Sequence, residues 1–262
     1  MYKMLVTEDS VYGLSLERIW CWNGEKIVSN ADVLRYLRIL PGLAEKINGI
    51  KCFDVNHTLL TDLTEDEETI WSKLNKNYKY EIRRQQKEEA QFYVYSADML
   101  KANPSVVAEF EIAYNTFCDE IHNEVVRGNY NHNMTLQFVD KDALVLTKAT
   151  KDNLVVYHIY VIDGKTAVLD YSVSDFRDES ADRAAAGRLN KLLHWRDMQM
   201  FKADGYVTYD WGNVSGKSVD EMNGIDKFKA GFGGELTKQV SVFVGNSLKG
   251  SAAVIAKRML KR

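Results

Sequence analysis

Four residues on one helical stretch have the types and spacing to meet a ligand. Arg183, Gly187, Asn190 and His194 step by four, three and four, which puts them on a single face of the helix expected over 184–203. Leu189, Leu192, Leu193 and Met200 fill much of the remainder and are expected in the core. Arg183, Gly187 and Arg188 stand at the start of that helix, where free backbone N–H groups favour an anion. The bland reading is an alanine-rich helix start. His194 reads either as a hydrogen-bonded structural histidine or as a general base. Asp170 lies in the apolar run 166–173, where a carboxylate needs a reason: catalysis, a substrate amine or hydroxyl, or a structural arginine partner. Asp210 closes a strand, the place where α/β sites gather, and could equally cap the turn after it. His57, His122, His132 and His158 show no metal-ligand spacing, so no metal is expected.

The elements that must position these residues follow from periodicity. Three β-branched runs, 143–149, 154–162 and 166–173, are separated by turn residues at Lys151-Asp152-Asn153 and Asp163-Gly164 and predict an antiparallel meander. The helix 184–203 stops at Asp204-Gly205. A strand over 206–210, a turn over 211–216, a helix over 219–230 and a strand over 235–244 come next, and a basic helix over 247–262 ends the chain. Upstream, Pro104 opens a helix reaching about Asn123. Residues 64–90 predict one helix with Thr64 and Glu67 as a capping box and an apolar stripe of Ile70, Leu74, Tyr78 and Ile82. Lys79, Arg83 and Arg84 on it are either solvated or face a phosphate-bearing ligand. Strands are expected at 3–7, 18–22, 26–28 and 52–60, with a hairpin at Asn23-Gly24 and a helix over 31–40.

The composition bounds the function. With 34 basic against 37 acidic residues, the net charge of −3 excludes a globally basic nucleic-acid binder. Cys21, Cys52 and Cys118 are odd in number and form no CxxC pair, so reduced structural thiols are expected. No Cys or Ser sits in a nucleophile motif. The N-terminus lacks the apolar stretch of a signal peptide and no run of about 18 apolar residues occurs, so a soluble cytoplasmic protein is expected.

The order α, βββ, α, β, α, β from 105 onward is that of the GNAT acyltransferase superfamily. The stretch from Tyr209 to Leu236 resembles the signature of its FemAB-like branch, a Tyr-Asp-x-Gly-Gly turn, a variable loop and Phe-Lys-x-x-Phe-Gly-Gly. The matching residues are Tyr209, Asp210 and Gly212, then Phe228, Lys229, Phe232, Gly233 and Gly234, with Asn213 in place of the second glycine. The helix running into Gly205-Tyr206 and the segment Asp62 to Glu88 also resemble that branch, and the matches span roughly 60–240.

The resemblance implies an α/β fold with a mixed, mostly antiparallel central sheet flanked by helices. It implies a complete GNAT-like domain over 96–262 behind a truncated GNAT-like portion over 1–95 that carries the basic helix 64–90. It implies N-acyl transfer from acyl-CoA to an amine, either an amino sugar, a nucleotide-linked sugar or a peptide amine, in cell-envelope polysaccharide or peptidoglycan synthesis. Asp170, Lys229, Asp210 and His194 would then be catalytic, Arg183, Gly187, Arg188 and Asn190 would hold the donor, and Tyr209, Trp211, Phe228 and Arg83 would line the substrate. Aminoacyl-tRNA is the alternative donor, with the basic residues of 73–87 and 249–262 as its contact. A non-catalytic GNAT-like binding module is the alternative of another class.

Overall fold

A computed structural model describes residues 4–20, 22, 24–120, 130–174, 182–216 and 218–261. The protein is mixed α/β and divides into two compact units. The first contains residues 1–58, 213–223 and 236–262, and the second 59–212 and 224–235. This differs from a boundary at 95–96. The C-terminal strand pairs with an N-terminal one, and the segment 64–90 belongs with the meander.

In the first unit, β1 (Val6–Val11) and β2 (Leu14–Ile19) form a hairpin. Its two loop residues, Tyr12 and Gly13, have φ of 51° and 75°, the turn that matches strand twist. The expected hairpin at Asn23-Gly24 includes a residue outside the described ones, as does the thiol Cys21, and 26–28 is not a strand. Residues 31–40 do not form a helix. Val33–Ile39 is a strand, β3, parallel to β2 and antiparallel to β10 (Glu235–Gly245), followed by the short helix α1 (Pro41–Ala44). The reason is a β-bulge: the register slips between Val240 and Val242, and Arg38 takes φ 58°. The core positions therefore fall at Leu34, Tyr36 and Ile39, a step of two and then three that breaks the strand alternation. They pack on Val240, Val242 and Val244. Strand β4 (Lys51–Asp62) lies beside β10 and continues from this unit into the second.

The second unit orders its strands as the end of β4, β9 (Thr208–Val214, to Gly212), β8 (Thr166–Ser174), β7 (Leu154–Asp163), β6 (Leu144–Lys151) and β5 (Gln91–Ser96). β5 to β8 are antiparallel, and β8 to β9 is parallel. The expected helix over 64–90 is two helices, α2 (Glu67–Lys73) and α3 (Lys76–Gln85), because Leu74 and Asn75 are extended. Asp66, not Thr64, caps the first, accepting from the Thr69 N–H at 2.8 Å. The expected apolar stripe is present, with Ile70, Leu74 and Ile82 buried. α4 (Ala97–Ala102) precedes α5 (Ser105–Glu120); the expected end of α5 at Asn123 lies outside the described residues. α6 (His132–Asp140) leads into the meander.

Helix α7 (Arg183–Ala203) lays Ala185, Ala186, Leu189 and Leu193 on Ala149, Leu154 and Val156. Each fully buried leucine there contributes roughly 1.5–3 kcal/mol. α8 (Gly224–Ala230) belongs to this unit, and α9 (Leu248–Leu260) to the first. Trp211 does not open a turn, because the strand runs on through it to Val214.

Gly212 has φ 76°, and a Cβ there would stand 2.7 Å from the Leu169 carbonyl oxygen on β8. Gly212→Ala is therefore expected to cost at least about 1–3 kcal/mol, read as a lower urea midpoint at unchanged slope. A midpoint equal to wild type would show that the backbone there is not constrained.

Candidate functional site

The site begins where the sheet ladder fails. β8 and β9 pair only at Thr166↔Thr208, Ala167↔Tyr209 and Val168↔Asp210. Past that level both strands are irregular. On β8 the register against β7 slips between Ile159 and Tyr160, and Asp170 is the extra residue between Leu169 and Tyr171. It is exposed, so the bulge is what puts a carboxylate in an apolar strand. On β9, Gly212 leaves the extended region against Leu169. A break of this kind frees backbone amides from the ladder and re-aims side chains.

Asp210 and Lys229 both approach Gly212 at this break. Asp210 is buried, and its Oδ1 accepts from the Gly212 N–H at 2.9 Å, the local capping role. Lys229 is half-buried on α8, with its Nζ 3.8 Å from where a Cβ on Gly212 would be. The structure thus brings Asp210, Gly212 and Lys229 together. Asp170 follows Leu169, whose carbonyl oxygen lies against Gly212. Next to Asp170 stands an aromatic group in which Tyr114, Tyr130 and Tyr171 lie 5.2–5.4 Å apart, ring to ring. Burial first, and in part the Asp170 charge, push all three phenols well up, so they stay neutral.

Behind the break lies a buried polar network that the sequence does not reveal. Asp197 Oδ2 accepts from Thr147 Oγ1 at 3.0 Å, His158 Nδ1 at 2.7 Å and the Tyr160 hydroxyl at 2.5 Å. Tyr160 meets the Tyr209 hydroxyl at 2.7 Å, and Tyr209 meets His194 Nδ1 at 2.8 Å. His158 Nε2 faces Asn190 Oδ1 at 2.8 Å. Thr147, His158, His194, Asp197, Tyr160 and Tyr209 are all at most 2% exposed. Burial, then the neighbouring His158, then Lys229 and Lys191, hold the His194 proton affinity well below 6.5. It is a neutral member of this network rather than a solvent-facing base. The available signal was the polar pair His158 and Tyr160 on one face of an apolar strand, with Asn190, His194 and Asp197 at helical spacing.

The donor atoms of His158, His194 and Asp197 lie within 4.8 Å of one another, a grouping that histidine spacing along the chain does not show. Their imidazoles stack at 3.8 Å and 20°. A bound metal lies close to the plane of each ring that ligates it, so rings stacked face to face do not converge on one ion. His158 Nδ1 and Asp197 Oδ2 hold each other instead.

The other expected residues are placed as follows. The N–H groups expected free at the start of α7 are engaged: the Asp182 carboxylate accepts from Ala184 and Ala185 at 3.0 Å each. An anion of the chain itself already takes the positive end of the helix. Arg183 is exposed and Gly187 half-buried. Arg188 is buried, 3.9 Å from Glu88 and from Asp182, and its Nε lacks a hydrogen-bond partner. Tyr209 and Trp211 have no exposed surface and are core residues, not a substrate wall. Trp211 donates to Thr61 at 3.0 Å. Phe228 packs on Tyr78 and His194. Arg83 stands 5.3 Å over the Trp71 ring.

No model of a known family and no curated protein matches this sequence. Solved structures do match. The structure of FemX covers 90% of this chain and 83% of its own length at TM-score 0.58 and 10% identity. The C-terminal DUF2156 domain of an Agrobacterium fabrum protein assigned as a lysylphosphatidylglycerol synthetase covers 87% and 72% at TM-score 0.52 and 14% identity. The chain therefore has a GNAT/FemAB-like fold.

Two measurements test the network. Tyr160→Phe removes a hydrogen bond to a buried carboxylate and is expected to lower stability by about 1.5–3 kcal/mol in urea; a loss below about 0.5 kcal/mol would deny Asp197 its anchoring role. His194 carries a proton more readily unfolded than folded. Its contribution is thus fully present above pH 6.5 and is lost as pH falls below that value. Wild type should lose up to about 1.4 kcal/mol per pH unit below 6.5 relative to His194→Gln. Parallel pH profiles for the two proteins would contradict this.

Proposed function

We propose that this chain is an N-acyltransferase that moves an acyl group from acyl-CoA to an amine acceptor. The observation that supports the reading is the break between β8 and β9, where Lys229 stands by Gly212 and the bulge exposes Asp170 one residue beyond Leu169. In this reading the amine attacks the thioester carbonyl directly. The new N–C bond forms, the carbonyl oxygen becomes an oxyanion, and the C–S bond then breaks as the carbonyl re-forms. Asp170 takes the proton whose loss converts the ammonium to the free amine before attack. After the N–C bond forms, the surplus proton on nitrogen passes to the departing thiolate, leaving amide and thiol, and the Lys229 charge stabilises the oxyanion and that thiolate. Arg188, buried with an unpartnered Nε near the start of α7, is the candidate contact for a donor phosphate. The acceptor is an amino sugar, a nucleotide-linked sugar or a peptide amine, which suits cell-envelope synthesis. Among the described residues no helix is long and apolar enough to cross a membrane.

Aminoacyl-tRNA as donor is the second reading, favoured by the fold shared with FemX and with the assigned lysylphosphatidylglycerol synthetase. The basic stretches weigh against it. Lys73 pairs with Glu65, Lys79 donates to the Ser72 carbonyl and Arg84 pairs with Glu88. Lys249 pairs with Asp32, and Lys257 and Lys261 with Asp54. The bases already paired with carboxylates contribute less to a polyanion contact.

Thiol release from acetyl-CoA with a panel of amines tests this. Wild type should turn over. Lys229→Ala and Asp170→Asn should each lose at least about 100-fold in kcat/KM with an unchanged melting temperature. Wild-type rates in both variants would remove these residues from the mechanism. Transfer from lysyl-tRNA but not acetyl-CoA would establish the second reading.

A further inference from the structure

The first unit contains a cleft of its own. It has a volume of about 550 Å³, within the range of small-molecule sites. Three neighbouring strands build it. β4 supplies Asn56 and His57, β9 and the residue after it supply Asn213 and Ser215, and β10 supplies Lys238.

Its lining residues carry two amides, a hydroxyl, an imidazole and an ammonium beside Val55 and Val214; most of the exposed lining is apolar, which suits the carbon face of a sugar ring, and no carboxylate is among the lining residues. Asp54, the nearest carboxylate along β4, is held by Lys257 and Lys261. Lys238 and His57 differ from the paired bases of this unit. Neither has a hydrogen-bond or ion-pair partner among the described residues. Asn56 is already oriented by the bond from its Nδ2 to Ser241 Oγ at 3.3 Å, and Ser215 by one from Asn223 at 3.2 Å. Fixed amide and hydroxyl groups beside an unpaired cation suit a ligand with both an oxyanion and a hydroxyl-rich body.

We propose that this cleft binds a small polyhydroxylated anion, such as a sugar bearing a phosphate or a carboxylate, with Lys238 and His57 on the oxyanion and Asn56, Asn213 and Ser215 on the hydroxyls. The site is independent of the acyl-transfer reading, and its test needs no turnover.

Calorimetric titration of the full chain with glucosamine 6-phosphate, galacturonate, inorganic phosphate and neutral N-acetylglucosamine decides it. At least one of the two anionic sugars should bind, at least tenfold tighter than inorganic phosphate and the neutral sugar. Preference between the two then identifies phosphate or carboxylate as the oxyanion. Lys238→Met and His57→Asn should each weaken that binding at least fivefold. Lys238 is exposed, so its variant should keep the wild-type melting temperature. Binding equal in wild type and Lys238→Met, binding of the neutral sugar as tight as the anions, or no binding of either anionic sugar at 10 mM (roughly −2.7 kcal/mol) would overturn the proposal.

Discussion

The second unit depends on one buried carboxylate. Asp197 is 2% exposed and would be costly there if unpaired. Three donors from two strands meet it: Thr147 on β6, and His158 and Tyr160 on β7. Through Tyr160 and Tyr209 the same constraint reaches β9, and through His194 it returns to α7. The network therefore fixes the helix against three strands at a single level. A buried polar network of this kind specifies one packing because any slip leaves a charge or a donor unpaired.

That fixed level is what makes the irregularity in front of it useful. β9 is anchored from behind by Tyr209 and Trp211, both wholly buried. Gly212, the residue after them, can then depart from regular pairing without the strand moving. On β8 the bulge at Asp170 does the same beside the tyrosine group. A rigid scaffold behind a local break is the arrangement that a preorganised site requires. Tyr209, Trp211 and His194, first expected to meet substrate or carry chemistry, are buried in the core, whereas Asp170 is exposed and Lys229 half-buried.

Much of this was legible in the sequence, for identifiable reasons. The meander could be read because its strands are apolar, β-branched runs and its turns carry Asp152 and Gly164 at positive φ. Helix α7 could be read from its apolar faces and its stop at Asp204-Gly205. β3 could not, because the bulge at Arg38 breaks the alternation of its core positions. The break at Leu74-Asn75 was hidden because the apolar stripe continues across it. β5 is short and mostly exposed, so it lacks a core face to announce it. Among the site residues, Lys229 entered through a resemblance and Asp170 through its oddness in an apolar strand. Asp197, His158 and Tyr160 were missed because their partnership exists only once α7 lies on the sheet.

The most direct test of the account is hydrogen exchange with and without saturating acetyl-CoA. The account predicts slowed exchange concentrated in 166–174 and 208–212, the two strands that part at Asp170 and Gly212. Unchanged exchange in both segments, with protection elsewhere in the chain, would contradict the placement of acyl transfer at this break.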